Sequence, residues 1–293
     1  MYLVTGAGGF LGRNVVPRLE QPYVTLSRND ATYPVDLARN VPQLTKAPKV
    51  VLHLAGKAHS VPTTDAEKEA FFQVNLKGTQ NLVEGLERVG LPEAFVFIST
   101  VAVYGVDEGV DIAETHPLKG NTPYALSKLQ AEAFLEAWGA ERGVRVGILR
   151  LPLIAGSNPP GNLGAMIRGI KTGKYLRFGQ GKTRKSVVLA QDVASVLPAL
   201  LERGGTYNLT DGYHPSFAEL ENKISQQLGK APPRAVPLSV AHLLGKVGDV
   251  VGRFPVNSST VHKMTSDLTF DDAKARDTLN WTPRRVLEHL EVL

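Results

Sequence analysis

Tyr124 and Lys128 lie four residues apart in the stretch TPYALSK, so on a helix they face the same way, one turn apart. A phenol titrates near pH ~10 and exchanges protons at neutral pH only where its anion is stabilised. A lysine ammonium one turn away provides that stabilisation. The spacing alone means little in a chain with eight tyrosines; its place gives it weight. It is the only Tyr-x-x-x-Lys in the sequence and opens a predicted helix at residues 122–142, capped by Asn121 or Thr122. The apolar run before it, residues 94–98, ends in two hydroxyls, Ser99 and Thr100. At the carboxyl end of a strand, where open α/β sheets bind ligands, a hydroxyl either caps the strand or holds the oxygen that the phenol protonates. The chemistry in view is proton transfer to or from a substrate oxygen.

The first residues have the form of a loop that binds a dinucleotide. Residues 2–5 are a short apolar, β-leaning run; Gly6, Gly9 and Gly12 follow at three-residue intervals, and an amphipathic stretch runs on to Leu19. Gly6 lets the chain turn, Gly9 lets backbone approach a pyrophosphate, and Gly12 lets the helix pack close to its strand. The helix start turns unpaired N–H groups toward the phosphates. The spacing is GxxGxxG, not the GxGxxG of the general dinucleotide fingerprint.

Strand-like and helical stretches then alternate. Residues 23–27 read as a second strand, 33–37 as a short connection ending in Asp36, and 50–54 as a buried strand. Residues 66–89 carry a helical period that Gly90 stops, and 144–149 form a further strand. This order predicts an α/β fold, a Rossmann-like doubly wound parallel sheet over residues 1–160 that binds NAD(P). From Pro152 the composition changes. Residues 156–164 read as a Gly-, Pro- and Asn-rich loop, 163–172 as a helix, 175–178 and 185–189 as β-like pieces, 191–202 as a helix and 206–209 as a last sheet strand. The stretches 216–228, 239–251, 271–279 and 285–290 are helical. Residues 183–215 are therefore expected to return to the first domain, and 161–182 with 216–293 to form a smaller, mostly helical C-terminal substrate lobe.

A chain of 293 residues, 43% hydrophobic and 21% charged, has the balance of a soluble globular protein with a sizeable core. It has no cysteine, which excludes disulfides, thiolate metal sites and cysteine nucleophiles. The histidines are scattered without ligand spacing, so no metal is expected. The opening on a core strand leaves no room for a signal peptide, and no apolar run is long enough to span a bilayer, which makes the cytoplasm the expected location. The formal charge is +5, but the basic residues are dispersed. That suits an anionic small substrate or a solvated surface rather than nucleic acid.

TGAGGFLG resembles the cofactor loop of the extended short-chain dehydrogenase/reductase family, whose members mostly remodel nucleotide sugars. The resemblance runs along nearly the whole chain. STVAVYG followed by TPYALSK is similar to the family's active-site pattern, which implies Thr100, Tyr124 and Lys128 as the catalytic set. The loop implies cofactor contacts at Gly6, Gly9, Phe10, Leu11 and Gly12, and Asp36 with Leu37 matches the family's adenine contact. LAGKAH resembles the loop lining the nicotinamide side, with Leu54, Ala55 and Gly56 toward the cofactor and Lys57 toward the substrate. VNLKGT resembles the helix whose Asn75 supports the site. Ser99, and Pro152 in RLPLIAG, fall beside the nicotinamide. Asn162 in GNLGAMI and Arg184 in KTRKSVV match residues that meet a substrate diphosphate, and NWTP at 280–283 resembles a near-terminal signature. Homodimerisation through a helix pair is the family habit.

NAD-preferring sites place an acid at the end of the second strand. This chain has Ser27 and Arg28 there, which suits a 2′-phosphate and favours NADP(H); Asp30, close by, leaves NAD(H) possible. His53 and His59 flank the LAG loop and are expected in supporting roles. Dehydratases of the family carry an acidic pair after the strand-end threonine, where this chain has Val101 and Ala102. Three readings remain. The first is an oxidoreductase reducing a UDP- or dTDP-4-keto-6-deoxyhexose at C4 for surface-polysaccharide synthesis. The second is a UDP-hexose 4-epimerase with tightly bound NAD. The third, of another class, is a non-catalytic NADP-sensing protein, against which the intact tyrosine and lysine speak. The reductase is the expectation carried forward.

Overall fold

The apolar runs near residues 50 and 95 are continuous because helices cover both faces of the strands they form. The computed structural model describes residues 1–251 and 257–292. In chain order its strands are β1 (Tyr2–Thr5), β2 (Tyr23–Ser27), β3 (Tyr33–Pro34), β4 (Val50–His53), β5 (Ala94–Thr100), β6 (Gly109–Ile112), β7 (Arg145–Leu151), β8 (Leu153–Ala155), β9 (Leu176–Phe178), β10 (Val187–Leu189), β11 (Gly205–Asn208), β12 (Arg234–Val236) and β13 (Leu268–Phe270). The helices are α1 (Phe10–Val15), α2 (Asp65–Phe72), α3 (Gly78–Val89), α4 (Pro123–Arg142), α5 (Gly161–Lys171), α6 (Leu197–Arg203), α7 (Phe217–Gln227), α8 (Leu238–Val251), α9 (Ser258–Thr265), α10 (Ala273–Leu279) and α11 (Val286–His289).

Seven strands form one parallel sheet in the order β11-β7-β5-β4-β1-β2-β3. The chain leaves β1 toward β2 on one side and returns to β4 on the other. The crevice that this reversal opens lies beyond the carboxyl ends of β1 and β4. Alternate residues serve the two faces. Leu3, Val51, Phe95, Phe97 and Ile148 pack with Leu82 and Leu86 of α3 and Ala131 and Leu135 of α4. Val4, Leu52, Val96 and Leu149 pack on the other side with Val15 of α1, Leu200 of α6 and Ala275 and Leu279 of α10. A further core joins α5, α7 and α11 to β8 and β10 through Leu163, Ile167, Leu220, Ile224 and Val286. The C-terminal segment braces two of these cores, since Trp281 is buried on the α1, α6 and α10 face of the sheet and Val286 and Leu290 in the α5, α7 and α11 core.

Several elements differ from the sequence reading. The stretch expected to be helical through Leu19 ends its α-helix at Val15 and goes on as a 3-10 turn, Val16–Arg18, because Pro17 cannot donate into the helical ladder. Residues 33–34, expected as a connection, are the sheet's edge strand, bonded to β2. The helical stretch before Gly90 is divided by a π-helical turn, Gln73–Lys77, between α2 and α3. The short parallel pairs β6 with β13 and β9 with β12 and the helix α9 were not expected. Of the two proposed caps for α4, Thr122 is the one used: its hydroxyl accepts from the Ala125 N–H, with Pro123 at the first helical position.

Candidate active site

β5 runs two residues past the predicted run and carries both hydroxyls. Alternation puts Ser99 on the α4 face with Phe95 and Phe97, where its buried hydroxyl donates to Glu132. Thr100, the next residue, reaches the Tyr124 phenol. The pair is therefore divided, the Ser99 hydroxyl turning to the protein interior and Thr100 to the phenol. Tyr124 stands in the first turn of α4, and one turn on Lys128 is buried, its Nζ donating to the Ile98 carbonyl at 2.8 Å and lying 4.3 Å from the Phe97 ring centre. Burial raises the phenol's pKa against the Thr100 hydrogen bond, and burial lowers the ammonium to about 8 against the pull of Glu132. Positive charge added next to the phenol would bring it back down.

The π turn carries Asn75 inward. Its Oδ1 accepts from the Lys57 N–H (2.7 Å), and its Nδ2 donates to the Lys57 carbonyl (3.0 Å) and the Ser127 hydroxyl (2.9 Å). Ser127 in turn donates to the Tyr124 carbonyl at 2.8 Å. Asn75 thus ties the loop after β4 to the helix that bears the phenol. Lys57 itself extends over Phe71, 5.3 Å from the ring centre, and Phe71 lies 6.0 Å from the Tyr124 ring.

His53 closes β4, fully buried. Burial first, and Lys128 second, lower its pKa from 6.5 to about 3. The folded protein then refuses a proton that the unfolded chain accepts. The contribution is fully present above pH ~6.5 and is lost as the pH falls toward about 3. Urea unfolding of wild type and His53→Gln across that window is expected to show the wild type losing stability more steeply; parallel curves would refute it.

At the carboxyl end of β1 two glycines are demanded by the protein's own packing. Gly6 has φ +70°, and a Cβ there would stand 2.6 Å from the Ala55 nitrogen; one at Gly12 would stand 2.3 Å from the Gly6 carbonyl. A Cβ at Gly9 would meet only that carbonyl, at 3.1 Å, and one at Gly8 nothing within 4 Å. The open side of the turn is a cradle that a side chain would fill. The Phe10 ring lies against Gly156, tying the loop to the segment after Pro152, while Leu11 is buried in the core. Arg28 is exposed after β2, beside Ser27, whose hydroxyl donates to the Asn29 carbonyl. The Asp36 carboxylate accepts from the Ala38 N–H (3.1 Å), and the Leu37 carbonyl takes the Asn81 amide (2.7 Å). These groups, with Leu54, Ala55, Gly56, Thr100 and Pro152, follow the carboxyl ends of successive parallel strands. They fit a dinucleotide: an open glycine turn, an exposed cation after β2, and an ammonium with one of its three N–H groups taken by Ile98.

The two residues assigned to a substrate diphosphate stand further along the chain. Asn162 is exposed in the first turn of α5. Arg184 donates to the carbonyls of Tyr213 (3.2 Å) and His214 (2.9 Å) and lies over the Tyr213 ring. His59, at φ 60°, lies against Gly161, where a Cβ would come within 2.5 Å of its Nδ1.

Sequence reasoning missed the polar core behind the site. Glu132 and Arg150 form a buried pair at 2.7 Å, their side chains 3% and 6% exposed. Arg150 also donates to the Tyr104 hydroxyl (3.2 Å), which donates to Asn208 (2.8 Å). Burial works against the guanidinium's charge, but the Glu132 hydrogen bonds outweigh it and hold its pKa up. The available signal was the helical period: Glu132 follows Lys128 by four residues, as Lys128 follows Tyr124.

Among the described residues no helix is long and apolar enough to cross a membrane. The model of the NAD dependent epimerase/dehydratase family matches residues 2–210. A UDP-glucose 4-epimerase of Vibrio cholerae is 26% identical, with 98% of this chain and 92% of that protein covered. A GDP-6-deoxy-D-mannose reductase of Pseudomonas aeruginosa is 30% identical over 74% of this chain and 76% of its own. Of solved structures, RMD from Pseudomonas aeruginosa complexed with NADPH aligns with a TM-score of 0.74 at 23% identity, covering 99% and 96% of the two chains. UDP-glucose 4-epimerase of Thermotoga maritima with UDP-glucose aligns at 0.75 and 22%, covering 98% and 94%. These structures share the fold of the sheet described above. With the family model spanning most of its length, the chain is an enzyme that belongs to the NAD dependent epimerase/dehydratase family, of the extended short-chain dehydrogenase/reductase type.

Proposed function

We propose that this enzyme is an NADP(H)-dependent reductase of a UDP- or dTDP-4-keto-6-deoxyhexose, acting at C4. The observation that carries it is a complete Thr100–Tyr124–Lys128 set in which Val101 and Ala102 follow Thr100, with an exposed Arg28 and no carboxylate directly at the end of β2. No carboxylate follows Thr100 to remove water, and Arg28 suits a 2′-phosphate, hence a cofactor that exchanges each turnover. When bound, a reduced nicotinamide supplies hydride. Tyr124 protonates the new C4 oxygen, Thr100 orients it, and Lys128 stabilises the phenolate and reaches the ribose. Asn162, in a lobe made of residues 161–182 and 216–293, and Arg184, in the returning segment 183–215, would meet the diphosphate from its two sides. A cytoplasmic homodimer belongs to the same reading.

A 30% identical relative named as a reductase supports the proposal. A 26% identical relative named as a 4-epimerase, matched along 98% of the chain, supports a second reading, a nucleotide-sugar 4-epimerase that keeps its cofactor. NADPH absorbance during incubation with UDP-, dTDP- and GDP-linked 4-keto-6-deoxyhexoses separates them. Steady sugar-dependent oxidation is expected; its absence, with cofactor retained through purification and interconversion of UDP-hexose epimers, would establish the epimerase. For the cofactor, Arg28→Glu is expected to weaken NADPH about 10- to 100-fold and NADH little. Dissociation constants measured for both decide it, and tighter NADH binding by the wild type would sink the preference.

A further inference from the structure

The two sides of the site are joined by one buried hydrogen-bond chain that the proposed chemistry leaves unused. Thr5 at the end of β1, His53 at the end of β4 and Thr79 on α3 are all buried. The Ala55 N–H donates to Thr5 Oγ1 at 3.1 Å, and that hydroxyl lies 2.6 Å from His53 Nδ1. Across the ring, His53 Nε2 lies 3.0 Å from Thr79 Oγ1, which donates to the Asn75 carbonyl at 2.6 Å. A hydroxyl has one proton. Thr79 gives its proton to Asn75, so toward His53 it can only accept; Nε2 carries the ring proton, and Nδ1 accepts from Thr5. Burial holds the imidazole neutral, which leaves this one tautomer and gives every bond in the chain a fixed direction. Through its side chain Asn75 continues the path to Ser127 and the Tyr124 carbonyl. The His53 ring also stacks on Phe97 at 5.7 Å, the same ring that the Lys128 ammonium overlies.

We propose that His53 is a positioning residue: as a neutral Nε2–H imidazole it locks the 54–57 loop to the π turn and so sets where Tyr124 and Lys128 stand relative to the cofactor side of the crevice. The consequence for catalysis rests on the reading of Tyr124 as the acid–base; the coupling of the two segments does not.

Two measurements need no substrate. In protein labelled with 15N-histidine, the His53 ring, identified by its loss in His53→Gln, is expected to read as neutral Nε2–H from about pH 5.5 to about pH 9. A protonated ring or an Nδ1–H tautomer overturns the proposal. Thr79→Val keeps the shape and removes the hydroxyl. Hydrogen–deuterium exchange in that variant is expected to rise at the Ala55 N–H, which is joined to Thr79 through His53 and Thr5, as well as in residues 73–77; a rise confined to 73–77 and to the Lys57 N–H that Asn75 holds directly overturns it. With NADPH and a 4-keto sugar, Thr79→Val is expected to lower kcat about 10- to 100-fold while the NADPH Kd stays within about threefold, and Thr79→Ser to restore the rate. Equal rates in the two variants overturn the positioning role. A wild-type protein that turns over no 4-keto sugar would count against the proposed reaction alone, and the first two measurements would still decide the role of His53.

Discussion

Tyr124→Phe is expected to reduce turnover about 10³-fold or more while the NADPH Kd changes less than about twofold. The phenyl ring keeps the contact with Phe71, 6.0 Å between centres, so the floor of the site stays in place. What goes is the oxygen that Thr100 reaches and that Lys128 would stabilise as an anion. Single-turnover absorbance separates this from a binding defect: cofactor saturates normally and hydride transfer stalls. A variant within tenfold of the wild-type rate would remove Tyr124 from the chemistry, and Thr100 with it.

The second large effect falls on stability. Glu132→Ala is expected to lower the unfolding free energy by about 3–5 kcal/mol, because it strands a buried guanidinium. Arg150 gives Glu132 several donor contacts, and Ser99 gives another. Tyr104 alone cannot satisfy what is left. Replacing both partners with apolar residues of similar volume, Glu132→Leu with Arg150→Met, removes charge and countercharge together and is expected to cost much less. Urea midpoints for the wild type, the single and the double variants test this. A double variant as unstable as the single one would show that the loss comes from packing.

Elements whose patterns are local were legible in the sequence. The first three residues of β4 and the first five of β5 are continuous apolar runs, and α4 announces itself by Thr122, Pro123 and a period ending at Gly143. The division of Ser99 from Thr100 was not legible, because it depends on where β5 stops. Two more residues of strand send one hydroxyl to Glu132 and the other to Tyr124. The π turn at 73–77 leaves no trace in composition; it is fixed by what Asn75 binds on a loop and a helix distant in sequence. β9 was legible as a β-like piece, but β6, β12 and β13, three or four residues long, and the partner of β9 depend on pairings that no window of sequence contains. Asn280 in NWTP takes φ 54° as the left-handed end of α10, and Trp281 donates to the Thr210 carbonyl and the Asp272 carboxylate. That signature is readable as a motif, but its work is architectural.

The bracing of two cores by the C-terminal segment has a consequence for biogenesis. β1 is made before the other strands of the sheet yet ends up inside it, and the face it shares with β4 and β7 is sealed by Ala275, Leu279 and Trp281. At about 5–20 residues per second, roughly 14–56 s separate the synthesis of β1 from that of Trp281. Through that interval the nascent chain carries Val4, Leu52 and Val96 without their last cover, an apolar surface open to chaperones and to its neighbours on the same messenger. A ribosome that stalls between residues 209 and 273 would hold the protein in this unsealed state, with Tyr124, Lys128 and every strand of the sheet already made and one face of the sheet uncovered.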